Sequence, residues 1–283
     1  MIVVKSRAEV EKMRRANRIV ADALDAVSAT VRPGVTTLEL DAIAEDVIRG
    51  AGAEPSFKGY SQDPERQPPF PGTICASINE ELVHGIPGKR VLRDGDVLSI
   101  DVGAYVDGFH GDAAITVPVG TISAQARRLL DVTQESLFAG IAAARGGNRL
   151  GDVSHAIGRV ILAGGYSVVQ GYGGHGVGRR LHEDPHVSNS GTPGKGPLLQ
   201  PGMTVALEPM ANLGRPGTTV RPDRWTVVTA DRKLCAHFEH TICVTTGAPE
   251  ILTEFSPAVY QRVGGPIRGP LTGTLAELVT AAG

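Results

Sequence analysis

Four acidic residues in strand-like segments are the residues of this 283-residue chain whose types and spacing could do chemistry. They are Asp101, Asp112, Glu208 and Glu239. Side chains alternate between the two faces of a strand, and each acid falls on the face that carries smaller residues, opposite an aliphatic face. Four ionised carboxylates repel one another too strongly to share a partly buried cleft. If the segments converge, the sequence therefore predicts bound metal cations.

A histidine flanked by glycines supplies a candidate nitrogen ligand. His175 lies within the glycine-rich stretch 171–178, where the backbone can approach a bound group closely. His182 follows seven residues later, beside two further acids. Imidazole combined with carboxylates favours Mn, Fe, Co, Ni or Zn over Ca or Mg. His175 is therefore the predicted nitrogen ligand of the metal site.

Other histidines divide into supporting, packing and surface positions. His110 and His237 each stand two residues before one of the acids, on the same strand face, which predicts that they support those acids. His240 points to the opposite face and is predicted to pack. We expect His155 to be exposed on a helix and His186 to lie in a loop.

The elements that must position these residues are predicted in two similar halves. Ser6–Glu9 and Thr36–Glu39 have the pattern of capping boxes, which start helices. Ser123 can cap a third helix, and a fourth follows around Val153. In each half, two helices precede strands that carry two acids. The sequence therefore predicts an internal repeat whose boundary falls near residues 118–123.

Composition excludes several classes of protein. The 28 Lys and Arg against 30 Asp and Glu give a net charge of −2, so no basic surface for nucleic acid is expected. Three cysteines without a CxxC spacing argue against a secreted disulfide framework and for the cytoplasm. No apolar run approaches the roughly 20 residues of a membrane span. We expect one domain over residues 1–256, a loop at Ser61–Pro69, and a tail over 257–283 that includes a short helix at Thr274–Leu278.

A set of ordered motifs adds a family resemblance. They are Ser77–Glu80, His84–Pro87, Ser99–Gly103, Gly108–Asp112, Gly174–Gly178, Leu181–Pro185, Leu207–Met210 and Phe238–Thr241. Over about residues 6–250 the sequence resembles the type I methionine aminopeptidases, which are pita-bread metallopeptidases. The resemblance implies an α+β fold with two pseudo-twofold-related α/β halves, about 1–120 and 121–256. A curved antiparallel sheet covered by helices would join them.

The resemblance also implies a site for two divalent metal ions. Asp101 would chelate one ion, Asp112 and Glu239 would bridge both, and His175 and Glu208 would complete the second. A water or hydroxide between the ions would be the nucleophile, because both cations lower its pKa. This ligand set accommodates Co, Mn, Fe, Zn or Ni.

Substrate contacts follow from the same resemblance. His182 would hydrogen-bond the scissile carbonyl, His84 would contact the peptide nitrogen, and Glu208 would shuttle the proton. His237 and Thr241 would lie behind the metal ligands. Soft sulfur and aromatic edges suit the thioether of methionine. The implied methionine pocket comprises Phe57, Tyr60, Phe70, Cys75, Leu181 and Trp225.

The implied function is removal of the initiator methionine from nascent proteins and peptides that have a small second residue. The implied partners are N-terminal Met-X peptides and the ribosome, and the expected state is a monomer in the cytoplasm. One alternative is an Xaa-Pro aminopeptidase or dipeptidase of the same superfamily, although those enzymes usually carry an additional N-terminal domain. Another is a non-catalytic binding protein, although such members have typically lost metal ligands.

The sequence departs from the family pattern at several positions. Ser61–Pro69 resembles an insertion, and it lies between the pocket residues Tyr60 and Phe70. Phe70 and Leu181 stand where the family often has tyrosine and phenylalanine. His237 stands where glutamine is common, which changes the group beside the acids.

Overall fold

Helices begin where the sequence predicts them. A computed structural model describes residues 2–264 of the chain. Both predicted capping boxes are present, at Ser6 and Thr36, and the Ser123 side chain caps a third helix. The helices are α1 Arg7–Thr30, α2 Thr37–Gly50, α3 Ala124–Ala143, α4 Leu150–Ala163 and α5 Pro257–Val263.

The strands form four antiparallel sheets in the described part of the chain. Their bounds are β1 Glu54–Pro55, β2 Ile74–Ile78, β3 Glu81–Val83, β4 Val97–Val106, β5 Phe109–Pro118, β6 Ser167–Val168, β7 Gly173–Gly176, β8 Glu183–Ser188, β9 Thr204–Leu207, β10 Met210–Asn212, β11 Thr218–Val220, β12 Val227–Thr229, β13 Cys235–His237, β14 His240–Cys243 and β15 Glu250–Ile251. One sheet has the order β1-β4-β2 with β5 paired to β4, and a second has the order β15-β14-β9-β7-β8. The smaller sheets have the orders β13-β10-β6 and β11-β12-β3.

The two helix pairs enter their sheets in the same way. Gly34 follows α1 with φ 94°, and its N–H donates to the Leu92 carbonyl at 2.9 Å. Gly147 follows α3 with φ 93°, and its N–H donates to the Leu199 carbonyl at 3.0 Å. Glycine adopts this left-handed backbone at no steric cost. These glycines are the structural counterpart of the repeat that the sequence predicts.

The predicted alternation in β4 is confirmed. Leu98, Ile100 and Val102 have no exposed surface and belong to the main apolar core, which also includes residues of α1 and α2. Full burial of such side chains contributes about 1.5–3 kcal/mol each. The opposite face carries Ser99 and Asp101 toward the interior between the sheets. An aliphatic face covered by helices therefore leaves the other face free for acids.

The sequence beyond residue 256 begins with a packed helix. Helix α5 lies against α1, where Arg262 Nη1 donates to Asp25 Oδ1 at 2.7 Å and Tyr260 is buried. These are the first residues of the predicted tail. The predicted helix at Thr274–Leu278 lies outside the described residues. No helix within residues 2–264 is long and apolar enough to cross a membrane.

The predictions for the two surface histidines have different outcomes. His155 is exposed on α4, as predicted. The prediction of a loop at His186 is wrong, because this residue lies in β8 opposite His175 of β7. The short strand alternates buried and exposed positions, and His186 occupies an exposed one.

Helix α1 contacts β5 directly beside one of the acids. A Cβ atom on Gly111 would lie 2.7 Å from the Asn17 nitrogen and 2.7 Å from the Ala16 carbonyl carbon. The Asn17 side chain donates to the Met13 carbonyl at 2.9 Å, and its Oδ1 accepts from the Asp112 N–H at 3.3 Å. Close packing of the helix therefore holds the backbone at Asp112.

We predict that Gly111→Ala lowers the free energy of unfolding by about 1–3 kcal/mol, because the added methyl group overpacks the α1–β5 contact. Urea denaturation monitored by circular dichroism measures the change. Gly88→Ala is the matched control, since its Cβ would meet open space. Equal unfolding midpoints for the two variants would contradict this account of the packing.

Candidate active site

The four acids reach one interior site from different elements. Asp101 of β4 pairs with Ala114 of β5, and Asp112 lies two residues earlier on β5. Glu208 directly follows β9, and Glu239 lies between β13 and β14. The Glu239 N–H donates to the Ala114 carbonyl at 2.8 Å. This hydrogen bond joins the two halves of the fold at the level of the acids.

All five predicted metal ligands line the same cavity. Ligand atoms of Asp112, His175 and Glu239 lie within 4.8 Å of one another. His175 Nε2 lies 3.8 Å from Asp112 Oδ2 and 3.7 Å from Glu208 Oε1. His175 Nδ1 pairs with the Gly176 carbonyl at 2.9 Å, so that Nε2 is the nitrogen directed at the acids. Asp101 interacts with Asp112 through their side chains.

Several oxygens at this site lack hydrogen-bond partners. Asp101 Oδ1, Asp112 Oδ1 and Glu239 Oε1 are buried without a partner among the described residues. A buried polar atom without a partner costs about 1–3 kcal/mol, and more if it is charged. Oxygen donors grouped around one imidazole nitrogen are suited to divalent transition metals. The arrangement therefore fits the metal ions that a metallopeptidase requires.

Burial and mutual repulsion disfavour ionisation of the acids. Burial raises the pKa of Asp101 to about 7, and the Glu208 carboxylate adds to this increase. Burial also raises the pKa of Glu208 to about 7. Burial and neighbouring carboxylates raise the pKa of both Asp112 and Glu239 well above the usual range. In the absence of cations, the site holds protons at pH values where exposed carboxyls are ionised.

Two further histidines line the cavity in neutral form. Burial lowers the pKa of His84 to about 4. Burial, followed by the neighbouring His175 ring, lowers the pKa of His182 to about 3. His182 Nδ1 lies 2.6 Å from the Tyr60 hydroxyl, and the His84 ring packs edge-on against Trp225 at 6.0 Å. Each imidazole therefore has one N–H and one lone pair at neutral pH.

An apolar cluster adjoins the acids. Five of the six residues of the predicted methionine pocket belong to it, Tyr60 packs against it, and all six line a cavity of about 100 Å³. Sequence reasoning missed Ile86, which packs against this cluster, and Gln62 and Gln67, which line the cavity. Ile86 stands within a motif that the sequence analysis names. The two glutamines lie in the loop Ser61–Pro69.

The loop Ser61–Pro69 is tied to the segment around Trp225. Trp225 Nε1 donates to the Pro68 carbonyl at 2.8 Å, and Gln67 Nε2 donates to the Arg224 carbonyl at 3.1 Å. The Phe70 N–H donates to the Tyr60 carbonyl at 2.8 Å, so the loop leaves and rejoins the chain at one point. Tyr60 and Phe70 thus stay in the cavity wall despite the extra residues between them.

The groups behind the acids match the prediction in part. His237 Nε2 lies 3.5 Å from Glu208 Oε2, and Thr241 Oγ1 donates to the Asp112 carbonyl at 2.7 Å. His110 instead pairs with Ser56 Oγ at 2.9 Å and packs on a tyrosine ring, so a contact from His110 to the acids is not found. His110 lies near the start of β5, and its partner Ser56 directly follows β1.

His240 packs away from the site, as predicted. Its ring lies between Phe138 and Phe255, and its Nδ1 pairs with Thr253 Oγ1 at 3.0 Å. The alternation of side chains along β14 explains this orientation, because Glu239 and Thr241 point the other way.

Known proteins share both the sequence and the fold. The sequence profile of metallopeptidase family M24 matches residues 11–246. A methionine aminopeptidase 1 of Bacillus subtilis (strain 168) is 52% identical over 253 residues, covering 89% of this chain and 99% of the relative. A methionine aminopeptidase 1 of Mycobacterium tuberculosis (strain CDC 1551 / Oshkosh) is 50% identical over 256 residues, covering 88% and 94%.

Solved structures agree with these matches. The crystal structure of methionine aminopeptidase from Thermotoga maritima superposes with a TM-score of 0.86 at 44% identity, covering 90% of this chain and 100% of that one. Prolidase from Pyrococcus furiosus superposes with a TM-score of 0.72 at 22% identity, covering 90% and 66%, which shows a common fold only. The predicted α+β pita-bread fold is confirmed. The chain belongs to metallopeptidase family M24 and, within it, to the methionine aminopeptidase family.

Proposed function

We propose that this protein removes the N-terminal methionine from peptides and nascent chains by metal-assisted hydrolysis. The observation that supports the proposal is that the five predicted ligand residues and an apolar cluster line one cavity of about 100 Å³. Relatives at about half identity over most of the chain have the name methionine aminopeptidase. Their activity and the geometry of this cavity support the same substrate class.

Two divalent cations would be held by the five ligands. Asp101 would bind one ion, Asp112 and Glu239 would bridge both, and His175 and Glu208 would complete the second. When bound, such cations supply an activated water at neutral pH and polarise a carbonyl group. The donor set is compatible with Co, Mn, Fe, Zn or Ni.

The side chains of the cavity would orient the substrate. The apolar cluster would take the methionine side chain, with sulfur and aromatic groups close to the thioether. The His182 imidazole would donate to the scissile carbonyl, and His84 would contact the peptide nitrogen. The Glu208 carboxyl would carry the proton to the leaving amine. We expect the cavity walls to leave room for only a small second residue.

A related function has weaker support. An Xaa-Pro peptidase shares this fold, but the similarity to prolidase is only 22% identity. A protein that binds without catalysis typically lacks some ligands, whereas all five predicted ligand residues are present in this sequence. We further propose that the protein acts as a monomer in the cytoplasm on chains emerging from the ribosome. Three free cysteines accord with a reducing compartment. No helix within residues 2–264 could span a membrane.

Substrate choice is the first test. We predict that the metal-loaded protein cleaves Met-Ala-Ser far faster than Met-Lys-Ser or Met-Glu-Ser, because a long second residue meets the cavity wall. Release of free methionine, measured by chromatography across a panel of Met-X and X-Pro peptides, gives kcat/KM for each. Equal rates across the Met-X series, or cleavage of X-Pro peptides alone, would refute the proposed substrate.

Metal content is the second test. We predict that Asp112→Asn loses most of the bound transition metal and lowers kcat/KM by at least about 100-fold, because a bridging carboxylate is removed. Elemental analysis after dialysis measures the stoichiometry. Asp46→Asn, an exposed aspartate on α2, is the matched control. Full metal content and full activity in Asp112→Asn would show that this carboxylate is not a ligand.

The third test is the pH dependence of stability in metal-free protein. The pKa values of Asp101 and Glu208 are raised to about 7, so their protonated forms stabilise the fold at low pH and this contribution is lost as the pH rises. Burial lowers the pKa of five histidines, and the stability that each contributes still rises by about 0.4 kcal/mol between pH 6.5 and 8.0, because unfolded imidazole titrates near 6.5. Over the same interval we predict a loss of about 1–2 kcal/mol from the two acids, seen as the difference between the wild type and a variant that lacks both, in which the histidine contribution cancels.

Urea denaturation of chelator-treated protein at both pH values measures this difference. On going from pH 6.5 to 8.0, the double variant Asp101→Asn/Glu208→Gln should gain about 1–2 kcal/mol of stability relative to the wild type, because two titrating groups are removed. Added divalent metal should stabilise the wild type more at pH 8.0 than at pH 6.5. A variant with the same pH dependence as the wild type would contradict the assignment of these pKa shifts.

A further inference from the structure

Tyr60 makes a short hydrogen bond to a histidine of the cavity. Its hydroxyl oxygen lies 2.6 Å from His182 Nδ1, and the two rings are 5.4 Å apart. On its other side, the His182 ring lies 4.3 Å from the His175 ring. His182 is thus held between a tyrosine and a predicted metal ligand. The Nε2 atom of His182 has no hydrogen-bond partner among the described residues.

The direction of this hydrogen bond decides which nitrogen carries the proton. If the Tyr60 hydroxyl donates, then Nδ1 is the acceptor and Nε2 bears the N–H. If Nδ1 donates instead, Nε2 presents a lone pair to the cavity. Only in the first arrangement can Nε2 donate a hydrogen bond to a carbonyl oxygen. In the second, the Nε2 lone pair would repel that oxygen, because both atoms are acceptors.

The environment of the Tyr60 hydroxyl favours the first arrangement. Burial raises the pKa of Tyr60, so the phenol keeps its proton at neutral pH. His182 Nδ1, at 2.6 Å, is an acceptor within hydrogen-bond distance of that proton. If Nδ1 donated instead, the phenol proton would lose this acceptor. The hydroxyl proton is therefore directed to His182 Nδ1.

The backbone fixes Tyr60 on both sides. Its N–H donates to the Phe57 carbonyl at 2.9 Å, and its carbonyl accepts from the Phe70 N–H at 2.8 Å. The hydroxyl is therefore held in place before any substrate arrives. A donor that is already oriented needs no rearrangement when the substrate carbonyl binds.

We propose that Tyr60 is a positioning residue whose hydroxyl fixes His182 in the tautomer with Nε2–H directed at the substrate carbonyl. This proposal rests on the proposed function, which assigns that carbonyl contact to His182. It gives Tyr60 a role beyond lining the apolar cavity.

A double-mutant cycle tests the proposal. Tyr60→Phe keeps the aromatic ring in the cavity wall and removes only the hydroxyl. With Mn-loaded enzyme and Met-Ala-Ser, we expect kcat to fall about 10- to 100-fold, as for loss of orientation at a reacting group. KM should stay within about twofold, because the pocket is preserved. In the His182→Ala background the same substitution should have no further effect on kcat.

A matched control makes the cycle specific. Tyr105→Phe removes the hydroxyl of a tyrosine that packs on His110 outside the cavity, and it should leave kcat unchanged. An equal loss from Tyr60→Phe in the wild-type and His182→Ala backgrounds would overturn the proposal, because Tyr60 would then act independently of His182.

Nuclear magnetic resonance supplies a readout that does not depend on activity. Histidine ¹⁵N spectra of the metal-free protein report the tautomer of each ring, and His182→Ala assigns the resonances of His182. We expect a single Nε2–H tautomer in the wild type and a mixture in Tyr60→Phe. An unchanged tautomer in Tyr60→Phe would overturn the proposal. Failure of the proposed function would appear differently, as a wild type that does not cleave Met-Ala-Ser while the tautomer still responds to Tyr60→Phe.

Discussion

The central constraint on this structure is the confinement of four carboxyl groups in one buried cavity. Two like charges about 4 Å apart repel by roughly 4 kcal/mol at the effective dielectric constant of a protein. Several such pairs would exceed the about 5–15 kcal/mol by which a domain is stable. Among the described residues that line the cavity, none is a lysine or arginine. Protons or metal cations must therefore supply the compensating positive charge.

The scaffold around the acids is held together by uncharged groups. Thr116 Oγ1 pairs with Ser99 Oγ at 2.8 Å and donates to the His237 carbonyl at 2.7 Å. The His237 N–H returns a hydrogen bond to Thr116 Oγ1 at 2.9 Å. Together with the bond from Thr241 to the Asp112 carbonyl, these contacts join the sheets of the two halves. Since none of these hydroxyls is charged, they fix the positions of the acids without neutralising them.

Most of the secondary structure and the composition of the site could be predicted from sequence because each depends on local chemistry. Capping residues mark where α1, α2 and α3 begin, and strand alternation separates the acids from the aliphatic face of β4. The position of His110 could not be predicted in this way, since its partner Ser56 is distant in sequence. The strand position of His186 could not be predicted for a similar reason, because β8 forms by pairing with β7.

The parts of the site that sequence patterns did not reveal depend on tertiary contacts. Nothing in the composition of Ser61–Pro69 indicates that Gln62 and Gln67 face the cavity. Their placement follows from the hydrogen bonds to Trp225 and Arg224, which come from the other half of the chain. A segment whose composition predicts a surface loop is therefore part of the cavity wall.

The segment Leu181–Glu183 shows how the cavity acquires rigidity. Leu181 packs in the apolar cluster, and His182 pairs with the Tyr60 hydroxyl. The Glu183 carboxylate pairs with Lys5 Nζ at 2.6 Å, with both side chains almost wholly buried. A buried ion pair is weak evidence for net stability, but removing one partner is costly because a lone buried charge remains. This pair thus serves mainly to select one position for the segment. Three consecutive residues fixed by packing, a hydrogen bond and an ion pair leave the imidazole little freedom, which is the condition for orienting a substrate carbonyl before the reaction begins.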